Sequence, residues 1–115
     1  MAMNEIGQIE IEVRELDRSV EFYRDKLGLT LELRTPAVAF FDCSGIRLLL
    51  RRFTGETLQP SRTIVYFKVS EFDQGLEFDR EPHFVAHMPD HDLWLALLHD
   101  PDGHAIGLMQ RKSRP

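Results

Sequence analysis

The stretch Val13-Arg14-Glu15-Leu16-Asp17-Arg18-Ser19-Val20-Glu21-Phe22 returns, at a constant offset of 56 residues, as Val69-Ser70-Glu71-Phe72-Asp73-Gln74-Gly75-Leu76-Glu77-Phe78, with Val, Glu, Asp, Glu and Phe identical. A second landmark moves with it. The turn ending at Gly45 before Ile46-Arg47-Leu48-Leu49-Leu50 matches Asp100-Pro101-Asp102-Gly103 before His104-Ala105-Ile106-Gly107-Leu108. Two landmarks at nearly constant spacing identify a duplicated module.

Upstream of the first copy, Ile9, Ile11 and Val13 alternate with Gln8, Glu10 and Glu12, which predicts a strand over residues 6–13 with one buried face. Leu16, Val20, Tyr23 and Leu27 then recur at helical spacing, predicting an amphipathic helix of about three turns that starts at Asp17 and stops at Gly28. Residues 29–34, 38–41 and 46–51 read as three further strands, separated by Thr35-Pro36 and by Asp42-Cys43-Ser44-Gly45. Module one is therefore β-α-β-β-β over about 5–52, followed by a linker at 53–62 and by module two over about 63–110. The second helix is held only by Phe72 and Leu76 and is stopped by Pro82.

The 115 residues, 43% hydrophobic and 29% charged, suffice for one compact domain and not for two conventional ones. A net charge of -5 disfavours nucleic acid and anionic lipid as partners. No run approaches the roughly 20 apolar residues of a membrane span. The first 20 residues lack the apolar core of a signal peptide, so a cytoplasmic location is expected. The single cysteine, Cys43, has no basic neighbour in sequence and reads as an ordinary thiol, and Arg111, Lys112 and Arg114 read as a solvated basic tail. His83, His87 and His91 are spaced four apart, but Pro82 and Pro89 exclude a helix. In a strand, residues so spaced stand about 13 Å apart, so these are edge-strand or surface histidines. His99 and His104, flanking the last turn, are expected to be exposed.

Phe22-Tyr23 followed by Leu27-Gly28-Leu29, the Asp100-Pro101-Asp102-Gly103 turn and the paired β-α-β-β-β modules together resemble the vicinal oxygen chelate superfamily, which includes glyoxalase I, bleomycin-resistance proteins and extradiol dioxygenases. The resemblance implies an α+β fold, in which two modules form a curved mixed sheet around a cavity and helices cover the outer face. It also implies, for enzymatic members, one divalent metal held by side chains from the first and last strands of the modules. Carried over one at a time, the first-strand ligands fall on Gln8 and Ile64, and the last-strand ligands on Leu49 and Gly107. Three of these four cannot bind a metal, and shifts of one or two residues assemble no set of three donors. No metal and no cofactor is expected.

If the Gln8 face is concave, the period of two places Glu10, Glu12, Arg47, Leu49, Arg51, Ile64, Tyr66 and Lys68 on it. Pairing Leu98 with Ala105 across the last turn sets Trp94 opposite Met109, and the equivalent pairing sets Phe40 opposite Arg47. Trp94, Phe40 and Tyr66 would then line a small-molecule site together with charges of both signs, and the overall charge tips the ligand's polar end toward an amine. Three readings stay open: a metal-independent binder of a small organic ligand, a metal-dependent lyase, isomerase or dioxygenase, and a non-catalytic structural or interaction domain. A homodimer is expected, since pairing covers sheet edges.

Overall fold

The computed structural model describes residues 1–115. The chain divides into two compact units, Met1–Gln59 and Pro60–Pro115. The first contains β1 (Gln8–Val13), α1 (Leu16–Glu21), a π-helical turn (Phe22–Lys26), β2 (Thr30–Arg34), β3 (Val38–Cys43) and β4 (Ile46–Arg52). Its sheet has the order β1-β4-β3-β2, with β1 parallel to β4 and the other pairs antiparallel. On one face Ile11, Val13, Ala39, Phe41, Leu48 and Leu50 are buried, and α1 packs across β3 and β4 on that side with Leu16 and Val20 buried.

The helix of the first unit is shorter and wider than its periodicity predicts. Asp17 lies inside the first turn rather than capping it: Glu15 is the N-cap and makes no side-chain cap bond. The α-helix gives way after one and a half turns to a π-turn closed by Leu27 N–H donating to Phe22 O at 3.1 Å. That wider turn lets two consecutive aromatics, Phe22 and Tyr23, both face inward. Their rings meet edge-on at 5.2 Å, and Tyr23 is fully buried, 6.2 Å from Phe41. Gly28 does terminate the helix as expected, at φ 77, while Leu29 N–H donates back to Tyr23 O. The β3–β4 hairpin closes through Ser44 and Gly45, both at positive φ, the geometry that matches strand twist in a two-residue turn.

The second unit contains β5 (Val65–Lys68), β6 (Arg80–His87), β7 (Asp92–His99) and β8 (Ala105–Lys112). Its sheet repeats the first in order, β5-β8-β7-β6, with β5 parallel to β8. The fold class is thus α+β with two four-stranded mixed sheets, but the expected second helix does not form. Asp73 accepts from Gly75 N–H at 2.8 Å and Leu76 N–H returns to Asp73 O, so 73–76 is a turn. A glycine costs a helix about 1 kcal/mol, and an aspartate that bonds its own neighbours' backbone offers a competing conformation. The Gln110 side chain donates to Ser70 O at 2.7 Å, tying this segment to the sheet face on which Ala96, Leu98, Ile106 and Leu108 are buried.

The β7–β8 hairpin pairs His99, not Leu98, with Ala105. Asp100 fixes this register: its Oδ1 accepts from the N–H groups of Asp102 and His104, both at 2.9 Å, and its own N–H donates to His104 O. His104, expected to be exposed, is only 3% accessible, and its Nδ1 accepts from Ser61 N–H at 2.8 Å.

Candidate functional site

In the first unit the face away from α1 carries the side chains picked out by the period of two. Across the parallel β1–β4 pair, Gln8 is beside Arg47, Glu10 beside Leu49 and Glu12 beside Arg51. Phe40 faces Leu49, and Arg47 faces Asp42. The expected Phe40–Arg47 pairing is therefore two residues off, a shift that preserves the face, and the Arg47 guanidinium still stands 5.4 Å from the centre of the Phe40 ring. Arg51 donates to Glu10 Oε1 at 3.1 Å, and Arg47 lies 3.5 Å from Glu32. The result is a charged ladder around Leu49, which is 2% exposed.

The equivalent face of the second unit is chemically different. Tyr66 pairs with Gly107, Lys68 with Met109, Leu97 with Gly107 and Leu95 with Met109. Leu93, Leu95, Leu97 and Met109 are half-buried, and Tyr66 is 39% exposed. The Tyr66 ring lies directly on the Gly107 backbone: a Cβ at 107 would overlap ring carbon Cδ1 and come within 2.8 Å of Cγ. Ile64 lies just before β5 and is half-buried. Met109 keeps the expected face, whereas the three leucines escaped sequence reasoning because the hairpin was paired one residue out of step.

Trp94 is not on the Tyr66 face. It pairs with Gln110 and with Phe84, so it shares the face of Ala96 and Leu98, opposite Tyr66, Lys68 and Gly107. A one-residue error in register exchanges the two faces of a strand, and placing Leu98 rather than His99 opposite Ala105 makes that error. The basic tail is not a free terminus either. The Lys112 ammonium sits 3.8 Å from the centre of the Trp94 ring, and Arg114 donates to Asp92 Oδ1 and to Met88 O and Pro89 O.

The donor chemistry does not fit a divalent metal at the positions that the superfamily pattern assigns. Leu49 is a buried hydrocarbon, Gly107 has no side chain and the Tyr66 ring fills its place, Ile64 has no donor, and neighbouring Glu10 is engaged by Arg51. The donor atoms of Asp100, Asp102 and His104 do lie within 4.8 Å of one another, but Asp100 Oδ1 and His104 Nδ1 already accept the backbone N–H groups that shape the turn. His83 and His87 lie on the edge strand β6 and face opposite sides, paired with Leu95 and Asp92. Burial, with Asp42 beside it, pushes the Cys43 thiol pKa up, which suits an ordinary thiol.

A family model for the Glyoxalase/Bleomycin resistance protein/Dioxygenase superfamily matches residues 5–108. The chain is 26% identical over 113 residues to Metallothiol transferase FosB of Lysinibacillus sphaericus (strain C3-41), covering 90% of this chain and 80% of that protein. Among solved structures it resembles lactoylglutathione lyase from Agrobacterium tumefaciens, with a TM-score of 0.70, 20% identity and 95% of each chain covered. It also resembles a protein of unknown function from Agrobacterium tumefaciens str. C58, with a TM-score of 0.75, 20% identity and 96% of each chain covered. At these identities the structural likeness speaks for the fold alone.

Proposed function

Since the chain belongs to the glyoxalase/bleomycin resistance protein/dioxygenase superfamily, we propose that it binds a small organic molecule without the metal that enzymatic members use. The observation that carries this reading is the Tyr66 ring lying on Gly107, together with buried Leu49 at the matching position of the first module. Where donors belong, there are an aromatic surface and an aliphatic one. Each of these surfaces, taken within its own unit, suits the body of an organic ligand, with Gln8, Glu10, Glu12, Arg47 and Arg51 around Leu49 in the first and Lys68 beside Tyr66 in the second to orient a polar end. Phe40, with Arg47 stacked against it, extends the aromatic surface of module one.

We place the protein in the cytoplasm as a homodimer, with neither nucleic acid nor membrane as partner. The net charge of -5 supports the exclusion of nucleic acid, and no helix is long and apolar enough to cross a membrane.

One finding favours a second reading, a metal-dependent enzyme: the 26% identical relative is named a metallothiol transferase. Elemental analysis of protein purified without chelator separates the two. The proposal expects less than about a tenth of an equivalent of Ni, Zn, Mn or Fe, given that structural and catalytic sites alike need three or more N, O or S ligands. One equivalent that is lost on Gln8→Ala or Glu10→Ala overturns it in favour of the enzyme.

A further inference from the structure

Trp94 heads a cluster on the face opposite Tyr66. Phe84 lies across from it with ring centres 6.4 Å apart, edge to face, and the His87 ring is 4.7 Å from Phe84. Asp92, two residues before Trp94 on the same face, pairs across the sheet with His87 on one side and Lys112 on the other. Phe84 is 43% exposed and the His87 side chain 72%, so the cluster reaches solvent.

The cluster already holds two cations, in two different ways. The Lys112 ammonium rests on the Trp94 ring at 3.8 Å and is in no ion pair, so the ring is its partner. The Arg114 guanidinium is fixed by three bonds: to Asp92 Oδ1 at 2.7 Å, to Met88 O at 2.9 Å and to Pro89 O at 3.2 Å. His87 Nδ1 donates to the same Asp92 oxygen at 2.7 Å. An electron-rich indole face recognises organic cations because the ring quadrupole attracts the charge.

We propose that the Trp94 ring, with Phe84 edge-on beside it, forms a binding site for a small organic cation of the quaternary ammonium class, which Lys112 occupies as a tethered internal competitor. Arg114 anchors the chain just beyond Lys112, and the ligand displaces Lys112 alone. A quaternary ammonium is the better guest: it is less strongly hydrated than the lysine ammonium and gives up less on leaving water. The tether offsets this by holding Lys112 at high effective concentration. The site is separate from the Tyr66 face and does not depend on what binds there.

Trp94 is the chain's sole tryptophan, so its fluorescence reports on the site directly. Choline is titrated into the wild type, Lys112→Ala and Lys112→Arg, with 3,3-dimethyl-1-butanol as the uncharged isostere. Removal of the competitor is expected to tighten choline binding about tenfold in Lys112→Ala, while Lys112→Arg stays near wild type and the alcohol binds at least about fivefold more weakly than choline. Equal choline affinity in the wild type and Lys112→Ala overturns Lys112 as the competitor. Equal affinity of Lys112→Ala for choline and the alcohol overturns the cation site, as does no binding to Lys112→Ala. Lys112 is exposed, so the variant keeps its fold, which an unchanged thermal midpoint checks.

Discussion

Gly107 is held to glycine by space rather than by backbone conformation. The Tyr66 ring covers it so closely that any Cβ must push the ring aside. Gly107→Ala is therefore expected to destabilise by about 1–3 kcal/mol, the usual cost of overpacking. In a Tyr66→Ala background most of that cost should vanish, giving a coupling of about 1 kcal/mol or more in a double-mutant cycle. Urea denaturation of the four proteins measures it, and strictly additive losses would show that the ring does not hold the position. The glycine was legible in the sequence as a position without a donor, yet nothing there revealed the ring above it. That contact needs the β5–β8 register, which brings together strands far apart in the chain.

At the scale of elements, short-range pattern served well and pairing between elements did not. The alternation in β1 and the helical spacing from Leu16 were readable because each is set by neighbours along the chain. The face of Trp94 was not, because it turns on one residue in the 100–104 turn, where the Asp100 carboxylate fixes the pairing. The second helix failed for a related reason: five identities with the first copy survive, but Gly75 stands where Ser19 stands in α1. Ser19 itself marks a weak point of α1. Its hydroxyl is completely buried and has no hydrogen-bond partner. A buried unsatisfied polar group costs about 1–3 kcal/mol, and alanine is the better helix former, so Ser19→Ala should raise stability by about 1 kcal/mol. A thermal midpoint that falls instead would mean that the hydroxyl fills space the smaller side chain leaves empty.

For the whole molecule, the two sheets leave β1, β2, β5 and β6 as edge strands. Apolar or aromatic side chains stand exposed on three of them, Leu33 at 56% on β2, Tyr66 at 39% on β5, and Phe84 and Val85 at 43% on β6. Edges of this kind are covered in stable proteins, and a second copy is the cover we propose. Light scattering at micromolar concentration should report twice the chain mass of 13.4 kDa, and a species of 13.4 kDa alone would contradict the dimer. The shared sheet order has one more consequence, for synthesis. In each unit the first strand pairs with the last, β1 with β4 and β5 with β8. On the ribosome the strand that leaves the exit tunnel first must wait, unpaired, for the one that leaves last. Neither sheet is completed until its last strand is made, so β1 stays unpaired until Arg52, and β5 until Lys112, has emerged.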